Sequence, residues 1–216
     1  STQYGCSDTA SYKVTVYPDV VADFTATPIE GCSPLASQFT NQSNGGASYF
    51  WNFGDGNQAY NPNPSHNFVN LSDTIRNFTV TMVAQSGFGC TDTTSMSVKV
   101  HPNPQISFAV AGIEGCFPAD FTFGNYSNGA TVFNWSYGDG STSTNADSLH
   151  THTYTNPGTE MATYTVTLQG TSDYGCTSSD MKDVEVIPEI KANISPVPGG
   201  CSPYTANFEN NTVGGF

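Results

Sequence analysis

Apolar and polar residues alternate along most of this chain. Runs such as Arg76 to Gln85 and Thr163 to Gln169 place β-branched, aromatic and other apolar side chains two apart, and clusters of Gly, Pro and Asn separate the runs. Period-two alternation bounded by turn formers predicts half-buried strands. No 3.6-residue apolar stripe predicts a helix. In Tyr49-Phe50-Trp51-Asn52-Phe53 the first, third and fifth side chains share one face, as they do in Phe133-Asn134-Trp135-Ser136-Tyr137. Both faces are expected to point into a core.

The pattern repeats. Cys6, Cys90 and Cys176 each follow an aromatic-Gly pair, while Cys32, Cys116 and Cys201 follow Glu30-Gly31, Glu114-Gly115 and Gly199-Gly200, with 84 to 86 residues between members of a series. Pro18, Pro102 and Pro188 keep that period, as do Trp51 with Trp135 and Asp55 with Asp139. Each proline closes one strand-like run (Lys13 to Tyr17, Met96 to His101, Asp183 to Ile187) and precedes another (Val21 to Thr25, Ile106 to Val110, Ile190 to Ser195). With the prolines as junctions, 19–102 and 103–188 are complete units, 1–18 the last strand of a preceding unit and 189–216 the head of a following one. The chain then reads as a window on a longer tandem array. About seven strands per unit with one Trp on a middle strand predicts an all-β fold of tandem immunoglobulin-like β-sandwiches.

Charge narrows the function. Five Lys and Arg against 18 Asp and Glu leave a formal net charge of −13, and only 11% of residues are charged. A soluble domain usually carries about 25%. Thr (27) and Asn (19) supply much of the polar surface instead. No basic cluster is available for a phosphate backbone or an anionic membrane surface, and no run of about 18 apolar residues spans a bilayer.

After each core aromatic run comes a Gly-Asp-Gly turn. Trp51-Asn52-Phe53-Gly54-Asp55-Gly56 closely resembles the W-D-F-G-D-G signature of PKD (polycystic kidney disease) domains, and Trp135-Ser136-Tyr137-Gly138-Asp139-Gly140 is a looser copy. Asn63-Pro64-Ser65-His66-Asn67-Phe68 resembles the family's N-P-x-H-x-[YF] element. Leu149 to Tyr154 carries its H-x-Y end, and Tyr164 to Leu168 its Y-x-V-x-L strand. Asn52 and Ser136 replace the usual first Asp. The resemblance covers 19–188, with partial matches at both ends. The G-C-x-P-L and G-C-x-D-T variants around Cys32 and Cys6 resemble PKD arrays of very large Bacteroidota surface proteins, which implies a gliding-type adhesin or filament protein exported by the type IX system.

Six cysteines without a C-x-x-C pair suggest disulfides in an oxidising compartment; free buried thiols are the alternative. In an immunoglobulin-like sandwich the loop after the first strand and the loop before the last lie at opposite poles. Cys32 and Cys90 would then stand about 30–40 Å apart, too far for one bond. In an end-to-end array Cys32 instead meets Cys176 of the next unit, an inter-domain clip, while Cys6, Cys90, Cys116 and Cys201 pair outside the window. Local pairing, Cys6–Cys32 and Cys90–Cys116, is the rival.

Other candidate chemistry is sparse. The histidines His66, His150 and His152 fall in the H-x-[YF] region and His101 precedes a junction proline. No nucleophile motif accompanies them, so no catalytic residue and no enzyme is expected. Asp55 and Asp139 are candidates for Ca2+, but the D-x-[DN]-x-[DN]-G loop is missing, and capping of the turn is the simpler role. No other cofactor is expected. Of seven N-x-[ST] sequons, those at Asn41, Asn125 and Asn210 keep the repeat period and are expected to be strand-end residues. Thr9, Thr74, Thr93 and Ser148 lie in D-[ST]-[AILVMT] triplets resembling the Bacteroidota O-glycosylation motif. The expected function is a structural stalk or filament segment at the cell surface, partnered by further repeats of the same chain and by identical chains laterally. The alternative is a polysaccharide- or protein-binding accessory module of a secreted hydrolase, for which Tyr60, Phe117 and Tyr126 are candidate platforms that form no repeated series.

Overall fold

Alternation builds the longest strands of the chain, whose computed structural model describes residues 4, 5 and 7–213. Among them the regular structure is entirely β. Two compact units emerge, residues 1–70 with 75–100, and 71–74 with 101–216.

The first unit contains β1 (Phe24–Thr27), β2 (Glu30–Cys32), β3 (Leu35–Asn41), β4 (Ser48–Asn52), β5 (Gln58–Ala59), β6 (Ser65–Phe68), β7 (Arg76–Gln85) and β8 (Thr91–His101). They form two sheets, β1-β3-β6 and β2-β8-β7-β4-β5. The β7–β8 hairpin stays in register from Arg76↔Val100 to Gln85↔Thr91. Its even positions Phe78, Val80, Met82 and Ala84 are buried, while Asn77, Thr79 and Gln85 face outward. Trp51 on β4 is fully buried, with Phe24 edge-on at 4.9 Å and Phe39 at 5.6 Å. Tyr49 and Phe53 pack on the same side, as the alternation predicted.

The second unit repeats this plan with β9 (Phe108–Ala111), β10 (Glu114–Cys116), β11 (Ala119–Asn125), β12 (Val132–Ser136), β13 (Thr142–Ser143), β14 (Leu149–Tyr154), β15 (Ala162–Thr171) and β16 (Thr177–Ile187). Its sheets are β14-β11-β9 and β10-β16-β15-β12-β13. Trp135 again lies at the centre, under Phe108 and Phe123.

Two features depart from a simple strand count. The first strand of each unit is split between the sheets: β1 and β9 pair in one, and β2 and β10 cross to the other. Pro28, which lacks an N–H, interrupts the first unit, and Gly112 at φ 83° interrupts the second. β10 then runs parallel to β16, with Cys116 opposite Ile187. Cys32 therefore ends a short strand rather than lying in a free loop. The runs Lys13 to Tyr17 and Ile190 to Ser195 do not form strands. Residues 7–20 have no ladder partner among the described residues, and 189–213 hold only the bridges Lys191↔Val213 and Ile194↔Asn210. An extended run without a neighbouring ladder leaves its backbone to water.

Candidate functional site

The Gly-Asp-Gly turn follows β4 and β12. Gly54 and Gly138 adopt φ near 80°, and a Cβ on either would strike the backbone carbonyl of Thr79 or Thr165 at 2.6 or 2.7 Å. Only glycine meets both demands. The Asp between the glycines is thereby aimed back along the turn. Asp55 accepts hydrogen bonds from the Asn57 backbone N–H at 3.0 Å and its side-chain amide at 3.1 Å, and Asp139 accepts from the Ser141 N–H at 2.9 Å. This is the capping role expected from the sequence. At the replaced first position Asn52 works as a cap, with its Oδ1 accepting from the Gly54 N–H at 2.9 Å.

The sequence did not reveal the second partner of each Asp. His66 Nε2 lies 2.6 Å from Asp55 Oδ2, and His152 Nε2 lies 2.8 Å from Asp139 Oδ2. Each imidazole is sandwiched by the core. His66 stacks on Phe53 at 4.2 Å and meets Phe68 edge-on; His152 stacks on Tyr137 at 3.9 Å and meets Tyr154 edge-on. Burial alone pushes both carboxyls up. The hydrogen bonds from His66 and Asn57, or from Ser141 and His152, outweigh it and hold them below the ordinary carboxylate range. Gly-Asp-Gly and H-x-[YF] are therefore one constellation, and their joint recurrence in both units was the signal available. A Ca2+ ion at Asp55 or Asp139 would compete with these protein partners for the same oxygens. Among the described residues no three His, Cys, Asp or Glu side chains cluster as a metal site would.

Other periodic residues also bond within their own unit. Trp51 Nε1 donates to the Asn61 carbonyl at 3.0 Å and Trp135 Nε1 to that of Asn145 at 3.1 Å. Asn41, Asn125 and Asn210 each accept the N–H two residues on at 2.9–3.0 Å, so these sequons are turn motifs, and the first two close β3 and β11. Asn70, one of the seven sequons, and Asn156, which the sequence did not single out, are buried and donate to the carbonyls of Val100 and Val186. His150 is the exception. Neither ring nitrogen has a hydrogen-bond partner, and Trp135 lies 4.6 Å from its ring. Burial among these rings pushes its pKa down, although Asp147 opposes that.

The cysteines differ in state. Cys32 and Cys176 are disulfide-bonded. Cys90, half-buried, and Cys116 and Cys201, exposed, are free thiols; Cys6 lies outside the described residues. The turns between β7 and β8 and between β15 and β16, called here the F–G turns, carry Cys90 and Cys176 and share one shape. Ser86 and Ser172 donate their N–H to the cysteine carbonyls at 2.8 and 2.9 Å, and Gly89 and Gly175 have φ of 89° and 79°. An aromatic two residues before each cysteine stacks on the residue before a junction proline: Phe88 on Tyr17 at 4.3 Å, and Tyr174 on His101 at 4.2 Å. Thr9, Thr74, Thr93 and Ser148 are all exposed. Thr93 sits within β8, where the neighbouring Asp92 carboxylate accepts the Ala22 N–H.

The fold and this constellation define a class, tandem immunoglobulin-like sandwiches braced by an Asp–His pair and a buried Trp. The chain belongs to the PKD domain family, whose model matches residues 8–100 and 101–186. It is similar to the PKD1 domain of the Vibrio cholerae metalloprotease PrtV (24% identity, 39% of this chain and 99% of that one, TM-score 0.33). It is similar also to the PKD1 domain of Vibrio anguillarum Epp (25% identity, 39% and 96%, TM-score 0.33). A Ca2+-stabilised adhesin with which an Antarctic bacterium binds ice aligns at 12% identity over 84% of this chain and 52% of that one, with TM-score 0.38. No curated protein sequence matches the chain.

Proposed function

We propose that this chain is a stalk or filament segment of a large extracellular bacterial surface protein, of the adhesin-like kind found in Bacteroidota. Its work is mechanical: reach, stiffness and resistance to proteases. The observation that carries this reading is the inward use of the repeated chemistry. The Asp, His, Trp and Asn residues that recur in both units brace their own sandwich. Sparse lysines leave few sites for trypsin-like cleavage. Disulfide-bonded cysteines fit an oxidising, extracellular setting.

The proposed joint is a Cys32–Cys176 clip between consecutive units. Two contacts inside the units support it. A second-strand cysteine stands opposite the last residue before a junction proline, as Cys116 does opposite Ile187. A pre-proline residue stacks on the aromatic two positions before an F–G cysteine, as His101 does on Tyr174. If both contacts recur at every junction, as the repeat implies, one cysteine of each series stands at each. A non-reducing peptide map should show Cys32 linked to Cys176, and a Cys6–Cys32 link overturns the clip. Imaging of the native assembly should show rows of beads about 40 Å apart, the length of strands of this size; isolated globules overturn the stalk. An intact mass equal to the bare sequence removes the proposed O-glycans.

A second reading rests on the first unit alone. Exposed Tyr60 lies 5.4 Å from Phe50, beside a cavity of about 300 Å3 that Ser48, Gln85 and Thr91 also line. An uncharged aromatic and hydroxyl surface suits a neutral polysaccharide, the substrate of an accessory module. Retention on insoluble glycans that Tyr60→Ala abolishes supports it. No retention removes it.

A further inference from the structure

Three residues precede junction prolines: Tyr17, His101 and Ile187. The first two are each covered by an aromatic ring of an F–G turn. Ile187 instead borders an apolar cavity of about 360 Å3, whose walls include Cys116, Phe117, Pro118, Pro188 and Ile190. Cys116 is Ile187's direct ladder partner, and its thiol is exposed and free. Its repeat equivalent Cys32 is disulfide-bonded, and so is the F–G cysteine Cys176.

We infer that this cavity is the receptor for an aromatic-Gly-Cys F–G turn of a further repeat of the same kind. The aromatic ring caps Ile187 and the cysteine bonds to Cys116. The inference rests on the tandem reading and names the partner of its next joint. The ligand chemistry follows from the two F–G turns of this chain. Each holds its Gly at positive φ and its cysteine carbonyl on a Ser N–H, which fixes the cysteine two residues beyond the ring. The cavity presents an apolar seat and a thiol side by side, with Phe117 and the two prolines forming the seat and Glu189 the one charged residue on its wall. Recognition is therefore by the ring, and the disulfide locks a contact already made.

The covalent step needs no net oxidation when the incoming cysteine arrives as a mixed disulfide. The Cys116 thiolate attacks the incoming sulfur, the new S–S bond forms as the old one breaks, and the former partner leaves as a thiolate.

The test uses the full chain and a hairpin peptide that copies residues 168–180, its cysteine carried as a mixed disulfide with glutathione. In a glutathione redox buffer the peptide should accumulate on Cys116 over exposed Cys201, which lacks a strand partner. An aromatic contact of the usual strength makes the preference about two- to tenfold. A peptide with Ala in place of the Tyr, and the variant Ile187→Ser, should each bring the ratio to one. Equal labelling of Cys116 and Cys201 by the Tyr peptide overturns the inference, as does a preference that survives the Ala peptide. The same digests report the Cys32–Cys176 link. Its absence overturns the parent reading, whereas lost selectivity with the link intact overturns this inference alone.

Discussion

Gly54→Ala and Gly56→Ala separate the two demands placed on the Gly-Asp-Gly turn. Gly56, at φ 97°, has no atom within 4 Å of the point a Cβ would occupy, so alanine there meets open space. Its cost is the left-handed backbone alone, about 1–2 kcal/mol. Gly54, at φ 79°, carries the same backbone cost, and its Cβ would also lie 2.6 Å from the Thr79 carbonyl oxygen and 3.0 Å from its nitrogen. Thr79 belongs to β7, is paired with Ser97 and lies in the middle of a five-stranded sheet, so that carbonyl has little room to retreat. Overpacking against a fixed neighbour adds about 1–3 kcal/mol, for a total of about 2–5 kcal/mol. In a domain of this size each kcal/mol moves Tm by about 4–8 °C, so Gly56→Ala should lower it by about 5–15 °C and Gly54→Ala by about twice that or more. Thermal unfolding followed by tryptophan fluorescence checks the order, and hydrogen exchange at β7 amides locates the loss. Equal destabilisation by the two variants would refute the close-approach argument. Gly138→Ala and Gly140→Ala should repeat the contrast, because a Cβ on Gly138 would stand 2.7 Å from the Thr165 carbonyl and one on Gly140 faces open space.

Three further outcomes are expected. His150 has its pKa held below 6.5 by burial, so the unfolded chain takes up its proton first; the stability it contributes is full above pH 6.5 and is lost as pH falls. His150→Leu should flatten that loss in the second unit, read by Trp135 fluorescence, and the first unit, with Pro64 at the equivalent position, should lack it. Asp139 has a depressed pKa, so its contribution is present above its ordinary value of 3.8 and disappears on acidification. Asp139→Asn should therefore cost about 1–3 kcal/mol in urea unfolding at neutral pH, and wild type and variant should converge in strong acid. Asn41→Ala and Asn125→Ala each remove one turn hydrogen bond of the same geometry and should each cost about 0.5–1.5 kcal/mol by denaturation; a difference between them larger than that range contradicts their equivalence.

The order of residues alone determined the long strands inside each unit, the period and the family. Alternation in Arg76 to Gln85 placed Phe78, Val80, Met82 and Ala84 on one face because side chains in a strand point to opposite sides in turn, whatever the partner strand. Recurrence of Trp51 as Trp135 and of Asn41 as Asn125 marked core and strand-end positions for the same reason, since both roles are local. Contacts between distant elements were not legible. Nothing near Asp55 in the sequence indicates that His66 closes on it, because that pair exists only once β6 is laid beside β3 and the turn after β4 folds over it. The crossing of β2 and β10 to the second sheet was hidden too: Pro28 in one unit and Gly112 in the other solve one backbone problem with different residues. Lys13 to Tyr17 has a strand-like pattern yet forms no strand, since a strand is completed by a neighbour's hydrogen bonds rather than by its own residues. Tertiary structure also decided the state of His150, by closing three aromatic rings around its imidazole and leaving both nitrogens without a partner.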